Sequence, residues 1–196
     1  FAIFLAVFLL MLGLEYIIQR HPTVDVKTRR LKINLALTGI DILVVRLFFG
    51  AAAVGAAQFA GERGWGLFNY LQWPEGLETL FCVVFLDLMI YIQHVVVHMI
   101  PFFWRFHVVH HSDLDLDVSS GLRFHPIEIL VSMLYKLGLV FALGPSAMTV
   151  LIFEAILNGM SQFSHSNITL PESLDRLLRY VIVTPDMHRI HHSVEK

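Results

Sequence analysis

The sequence predicts an all-α integral membrane protein, a helical bundle of about four transmembrane helices with a histidine-rich cap on the cytoplasmic side. Hydrophobic residues make up 56% of its 196 residues and charged residues 15%, against about 45–50% and about 25% in soluble domains. Mean hydropathy is +0.67. Several apolar runs are long enough to cross a bilayer as helices. All but one of the 11 histidines fall in or near a few clusters, which form the predicted cap.

Charge and cysteine content exclude two other classes of protein. The net charge is −2 and no basic stripe occurs, so we expect no nucleic-acid partner. The chain contains one cysteine, Cys82, which excludes an intrachain disulfide. These exclusions are consistent with the membrane protein that the composition predicts.

The N-terminal part predicts two spans. Residues 1–18 are almost entirely apolar and predict the first. The loop Arg20–Lys32 is denser in positive charge than any other loop, so the positive-inside rule places it in the cytoplasm. A second span is predicted over residues 35–60. The segment Gly61–Gly76 contains aromatic residues typical of a membrane interface and predicts a connection on the outer side.

Two polar stripes mark the following helices. Residues 77–100 predict a third span that stops at Pro101, which cannot continue a helix. Its polar residues follow one helical face: Asp87, Tyr91, His94 and His98. Residues 127–143 and 147–163 predict a helical hairpin that leaves the cytoplasm and returns, and a second stripe follows its second arm: Glu154, Asn158, Ser161 and His165. We expect the stripes to face each other, because polar groups facing lipid are costly.

The last segment, residues 171–196, predicts a helix lying on the membrane surface and then a short helix with the last histidines. Thr184 and Pro185 are typical of an N-cap and a first helical residue. The whole chain, 1–196, is predicted to form a single membrane-embedded domain. In it, residues 1–76 form the two N-terminal spans and 77–196 the histidine-bearing core.

The spacing of the histidines suits metal binding. His94 and His98 are four apart and share a helical face. Three histidines with a common spacing occur in His107–His111 and again in His188–His192. Neutral imidazole in this number suits iron, zinc or copper, and eight or more rings are too many for one ion, so two metals are expected. The predicted topology brings all ten clustered histidines to the cytoplasmic side.

Other metal sites fit less well. The stretch His94–His98 lacks the glutamate of the HExxH zinc proteases, and the Glu-x-x-His pair of soluble di-iron proteins does not occur. A b-type haem needs axial histidines placed across a bundle, and three crowded clusters on one side fit that requirement poorly. The alternative function is a non-catalytic membrane metal-binding or metal-transport protein, although transporters hold their ligands near mid-membrane.

The histidine motifs and their neighbours resemble the fatty acid hydroxylase and sterol desaturase superfamily in order and spacing, from about Asp87 to Ser193. The matching stretches are His94–His98, Trp104–Ser112, Arg123–Pro126, His165–Asn167, Thr184–Pro185 and His188–His192. Members commonly carry Arg after the first histidine, where this chain has Val95. The resemblance implies a catalytic domain of a membrane-embedded di-iron oxygenase, which uses O2 and two electrons from an external reductase chain to hydroxylate or desaturate a lipid.

Carried over residue by residue, the resemblance implies eight ligands for two iron ions: His94, His98, His107, His110, His111, His188, His191 and His192. His165 is expected as a ninth, and His125 either binds metal or holds a neighbouring group. No catalytic residue is expected beyond the metal ligands. Residues expected to line or orient the substrate route, or to join helices by hydrogen bonds, are Asp87, Tyr91, Glu154 and Asn158. Zinc can replace iron on isolation, and the partners implied are a lipid-like substrate (sterol, fatty acyl chain, carotenoid or ether lipid) and an electron-donor protein.

The acidic residues after the second histidine motif leave two interpretations open. Asp113, Asp115 and Asp117 alternate with leucines. They form either a solvated loop or a set of carboxylates that orient ligand imidazoles.

Overall fold

The computed structural model describes residues 2–50 and 52–193, and nearly all regular structure in these ranges is helical. The helices are α1 Ala2–Ile17, α2 Lys27–Phe49, α3 Ala52–Arg63, α4 Leu67–Leu71, α5 Glu75–Met99, α6 Pro101–His111, α7 Pro126–Leu143, α8 Ala147–His165, α9 Glu172–Leu178 and α10 Pro185–His192. A 3₁₀ turn, Ser120–Leu122, lies between α6 and α7. One isolated antiparallel bridge joins Gln19 and Ile168. The all-α prediction is confirmed. The ends of the predicted segments 1–18 and 171–196 lie outside the described residues.

Three stretches of the described chain are long and apolar enough to cross a membrane. They are Lys27–Leu71, which includes α2 to α4, then α5 and α7. The helix α1 is apolar but shorter, with 16 residues. An integral membrane protein is therefore confirmed, and the predicted number of about four crossings stays a prediction.

Local sequence signals explain several helix ends. The helix α5 ends at Met99, directly before Ile100 and Pro101, as predicted. The helix α7 starts with a proline in its first turn and ends at Gly144, whose φ of +63° suits a residue without a Cβ. Thr184 and Pro185 begin α10, also as predicted, although the Thr184 side chain makes no capping hydrogen bond to that helix.

The second span differs from its prediction in its start and in its continuity. The helix α2 begins at Lys27, inside the stretch predicted to be a loop, because Lys27 and Arg30 have buried carboxylate partners in the fold. The predicted single helix over residues 35–60 is interrupted at Gly50, which has a φ of +56°. A left-handed glycine ends a helix readily, because no Cβ opposes that conformation.

The chain divides into two compact units. The first consists of Phe1–Thr38, Val108–Arg123 and Leu157–Lys196. Its hydrophobic core joins Phe8 of α1 to Val118 and Leu122. The segment after α1 pairs with the segment after α8: the Thr169 N–H donates a hydrogen bond to the Ile18 carbonyl at 2.7 Å. This unit carries six of the histidines predicted to bind metal.

The second unit consists of Gly39–His107 and Phe124–Ile156. The helix α7 packs on α3, α4 and α5. The hydrophobic core of this unit joins Ala53 and Ala57 to Val140 and Val150. Small residues at these positions of α3 allow the close approach of helices that is expected in membranes. Tyr135 of α7 donates a hydrogen bond to the Met89 carbonyl of α5 at 3.3 Å. The other four histidines predicted to bind metal, His94, His98, His107 and His125, belong to this unit.

Candidate metal centre

Four histidines from three helices converge in the first unit. His110 comes from α6, His165 from the end of α8, and His188 and His192 from α10. Their ligand nitrogens lie within 4.8 Å of one another. The Nε2 atoms of His110 and His165 are 3.1 Å apart, those of His165 and His188 2.9 Å, and those of His188 and His192 3.0 Å. His110 and His165 are buried.

The outward nitrogens of two of these rings fix their tautomers. The Nδ1 atom of His110 lies 3.1 Å from the Arg123 carbonyl oxygen, and that of His165 lies 2.7 Å from the Ser161 carbonyl oxygen. A carbonyl oxygen can only accept, so each Nδ1 carries the proton and donates. A neutral imidazole has one N–H, which leaves a lone pair on each Nε2. Two lone pairs facing each other at this distance repel, and a cation between them reverses the sign of the interaction.

The distances suit a metal ion. Metal–imidazole bonds measure about 2.0–2.1 Å, so two nitrogens on one ion are separated by about 2.8–3.4 Å for coordination angles between a right angle and the tetrahedral angle. The observed Nε2 separations of 2.9–3.1 Å lie at the short end of that range. An all-imidazole donor set suits iron, zinc or copper. These residues therefore fit the metal implied by the resemblance.

His111 and His191 lie beside these four rings. Their ligand nitrogens are within 4.8 Å of each other and of a nitrogen of His192. The His111 ring stacks on the His192 ring with a centroid distance of 4.1 Å. All six predicted ligands of the first unit are therefore neighbours.

Three histidines converge in the second unit. His94 and His98 lie one turn apart on α5, and His107 comes from α6, with ligand nitrogens within 4.8 Å of one another. The Nε2 atoms of His98 and His107 are 3.1 Å apart. The Nδ1 atom of His107 lies 2.6 Å from Oε1 of Glu128 on α7. Because an ionised carboxylate only accepts, Nδ1 of His107 carries the proton and its Nε2 presents a lone pair to His98. Metal-ligating histidines usually make such an outward hydrogen bond.

His125 lies outside both sets. Its Nδ1 atom accepts a hydrogen bond from the Ile127 N–H at 3.1 Å, which caps α7, and its ring packs against Phe106. It belongs to no metal-binding group found among residues 2–50 and 52–193. Of its two predicted roles, this geometry favours holding a neighbouring group.

The residues predicted along the substrate route have different surroundings. Asp87 and Tyr91 are exposed on α5, with Tyr91 at 62%. Glu154 of α8 forms an ion pair with Lys136 of α7, with Nζ 2.8 Å from Oε1. Asn158 is partly buried on α8. Their role along a substrate route stays a prediction.

The acidic loop after α6 is not a solvated loop. The side chains of Asp113, Asp115 and Asp117 are almost fully buried around Arg30, which donates to Asp113 at 2.7 and 2.9 Å and to Asp117 at 2.8 Å. Burial opposes ionisation of Asp113, but hydrogen bonds from Arg30, Ser120 and Asn34 lower its pKa below the ordinary value. The carboxylates thus face a guanidinium, and the prediction of a solvated loop is wrong because Arg30 supplies the counter-charge.

Sequence reasoning missed three charged residues around the histidines: Glu128, Arg30 and Glu15. Glu128 is the third residue of α7, where a glutamate usually indicates helix capping. Arg30 was placed in a cytoplasmic loop. Glu15 had a usable signal, because a carboxylate inside an apolar run is costly unless it has partners. For Glu128 and Arg30 no local pattern indicates the partner.

The comparison with protein families gives one match. Residues 79–196, more than half of the chain, match the description "Fatty acid hydroxylase". This range contains every histidine described above as part of a cluster. No solved structure matches the chain.

Several curated proteins are similar to the chain. An alkylglycerol monooxygenase of Caenorhabditis elegans is 28% identical over 83% of this chain and 32% of its own length. An ornithine lipid hydroxylase, OlsE, of Rhizobium tropici is 29% identical over 62% of this chain and 36% of its own length. A cholesterol 25-hydroxylase of Homo sapiens is 30% identical over 58% of this chain and 44% of its own length. The chain thus spans between about a third and less than half of the length of these relatives.

Proposed function

Because the chain belongs to the fatty acid hydroxylase family, we propose that it is a di-iron membrane oxygenase that uses O2 to hydroxylate a lipid. The observation that supports this most is the convergence of imidazole Nε2 atoms at 2.9–3.1 Å while the known outward nitrogens donate to oxygen acceptors. Such an arrangement is costly without a cation and suits one well.

We assign the two iron ions to nine histidines. The ligands in the first unit are His110, His111, His165, His188, His191 and His192, and those in the second are His94, His98 and His107. When bound, the iron supplies the redox chemistry that activates O2 toward an unactivated C–H bond. All nine proposed ligands are neutral imidazoles, so they would leave the positive charge of the ions uncompensated.

The remaining contribution of the chain is position and exclusion of water. Glu128 and the carbonyls of Arg123 and Ser161 hold the rings at their outward nitrogens. Burial of His107, His110 and His165 keeps bulk water from the inner faces of these rings. The reaction balances as one C–H bond, one O2, two electrons and two protons giving one C–OH and one water.

The substrate class follows from the relatives. Those quoted above are named for acting on an alkylglycerol, an ornithine lipid and a cholesterol. Their shared chemistry is a long apolar body with a polar head, which would reach the enzyme from the bilayer. All three names describe hydroxylation or monooxygenation, which favours hydroxylation over desaturation here.

The electrons would come from a reductase partner, as the family resemblance implies. We place the metal centre on the cytoplasmic side, where the basic segment Arg20–Lys32 is expected by the positive-inside rule.

Lipid mass spectrometry on cells grown under ¹⁸O2 tests the proposal. Cells expressing the wild type should contain lipids heavier by one labelled oxygen atom, and His110→Ala should abolish them because it removes a buried ligand. His21→Ala is the matched control, since His21 is exposed and belongs to neither cluster.

The proposal is contradicted if no lipid gains labelled oxygen in the wild type. If the purified wild type nevertheless binds metal, the non-catalytic metal-binding function is favoured instead.

A further inference from the structure

A buried carboxylate at the end of α1 joins the histidine-bearing segments of the first unit. Glu15 is 1% exposed. Its Oε1 atom accepts hydrogen bonds from the Val118 N–H at 2.7 Å and from the Asn167 N–H at 2.9 Å. Its Oε2 atom pairs with Lys27 Nζ at 2.8 Å. Glu15 lies outside the residues that match the family description.

The first of these bonds acts on the surroundings of His165. Val118 leads into the turn Ser120–Leu122, and Gly121 in this turn lies against the His165 ring. A Cβ on Gly121 would be 3.1 Å from both Cγ and Nδ1 of that ring. Such a contact leaves the turn little room to move, so the position of the Val118 backbone sets one wall of the His165 ring.

The second bond acts on the chain that follows His165. Asn167 lies two residues after this ligand, and its Oδ1 atom accepts a hydrogen bond from Arg189 at 3.1 Å. Arg189 is adjacent to His188 on α10. The Asn167 carbonyl also accepts from the Arg20 N–H at 3.0 Å. Asn167 therefore connects the end of α1 to two segments that carry predicted ligands.

Replacing this carboxylate by an apolar group would be costly. Two buried backbone N–H groups and a partly buried ammonium would lose their acceptor, and an unsatisfied buried donor bears the full cost of its desolvation. Charge-assisted bonds of this kind are short and roughly twice as strong as neutral ones. The segments would then relax to new positions, and the His165 ring would move with them.

We infer that Glu15 is a positioning residue for the metal centre: through Val118 and Asn167 it holds the His165 ring in register with His188. The inference rests on the proposed function, because it assumes that these rings bind metal. Glu15 itself does not reach the metal ligands' nitrogens in the contacts described above. Its effect is on metal affinity and ligand geometry.

Titration of the metal-free protein with cobalt(II) in detergent, followed by visible absorption, tests this inference. The wild type should bind about two cobalt ions per chain. Glu15→Leu should weaken binding of one of them by about tenfold or more, the effect usual for an outer partner of a ligand, and should alter its absorption bands. The double variant Glu15→Gln with Lys27→Met keeps an acceptor oxygen without a buried charge, so its affinity should fall by less than about tenfold.

A carboxylate of the same unit provides the matched control. Glu172 is exposed on α9, and Glu172→Gln should leave both affinities and the spectrum unchanged. If Glu15→Leu does not fold, Glu15→Asp replaces it: the shorter side chain keeps the charge but cannot reach all three donors, and it should lower the affinity.

The outcomes separate this inference from the proposed function. A folded Glu15→Leu or Glu15→Asp protein with wild-type cobalt affinity and spectrum overturns the positioning role alone. An equal loss in the Gln–Met double variant overturns the role of the acceptor oxygen. A wild type that binds neither cobalt nor iron overturns the metal centre, and the positioning role falls with it.

Discussion

Individual histidines in both units are held by an acceptor on the side away from their neighbours. His110 and His165 donate to backbone carbonyls, whereas His107 donates to the Glu128 carboxylate. A carbonyl belongs to the fold and cannot be removed by substitution, but the carboxylate can. The contact to Glu128 measures 2.6 Å, the shortest of the three. Among these three bonds, it is therefore the one whose removal by mutation should affect metal affinity most directly.

We expect Glu128→Gln to weaken the metal site formed with His94, His98 and His107. The amide oxygen can still accept from Nδ1, but it lacks the charge that stabilises a metal-bound imidazole. The affinity should fall by about tenfold or more, and Glu128→Ala should lower it further. Iron retained after dialysis against a graded series of chelator concentrations measures the effect.

Glu62→Gln is the control for this change, because Glu62 is exposed in the same unit. If Glu128→Gln retains both iron ions as strongly as the wild type, the outward bond has no role in metal binding.

At the scale of the helix, apolar runs predicted most elements because their length and composition are local properties. The helices α5 and α7 are present where predicted, and the signals at Pro101 and Pro185 gave helix ends correctly. The start of α2 could not be predicted, since residues 27–32 are mostly charged or polar and two of their cations have partners elsewhere in the fold. The carboxylate partners of Arg30 are 83 to 87 positions away in the chain, whereas the partner of Lys27, Glu15, is 12 positions away.

Arg30 on α2 should contribute more to stability than any exposed cation. Its side chain is 3% exposed and is the counter-charge of three buried carboxylates. Removing one partner of a buried ion pair costs about 3–5 kcal/mol, because the remaining charge is left without compensation. Arg30→Met should therefore lower the free energy of unfolding by about that amount, measured by denaturant titration in detergent.

The adjacent Arg29 provides the comparison, because it is exposed on the same helix. Arg29→Met should change the free energy of unfolding by less than about 1 kcal/mol. Equal stability of the two variants would show that the Arg30 cluster does not support the loop after α6.

At the scale of the whole chain, the predicted ligands are spread over residues 94–192, and the sequence could indicate them only through their spacing and the family resemblance. The structure brings nine of the ten into groups and leaves His125 at the start of α7. Glu15 and Asn167 could not be connected from sequence, because they lie 152 positions apart and meet only in the fold. Long-range pairing of this kind leaves no local pattern.

Because the predicted ligands come from segments far apart in the chain, we expect bound metal to add to folding stability. An ion that binds only the folded chain stabilises it by about 2.7 kcal/mol when present at a hundred times its dissociation constant. The stabilisation should be greatest in α10, since it has 8 residues, three of them predicted ligands, and helices this short are marginal on their own. Removing iron with a chelator should therefore increase amide hydrogen exchange in residues 185–192 while residues 52–63 of α3 stay unchanged. Hydrogen-exchange mass spectrometry of the loaded and metal-free protein measures this directly. Equal protection of α10 in both states would mean that its histidines do not bind the ion.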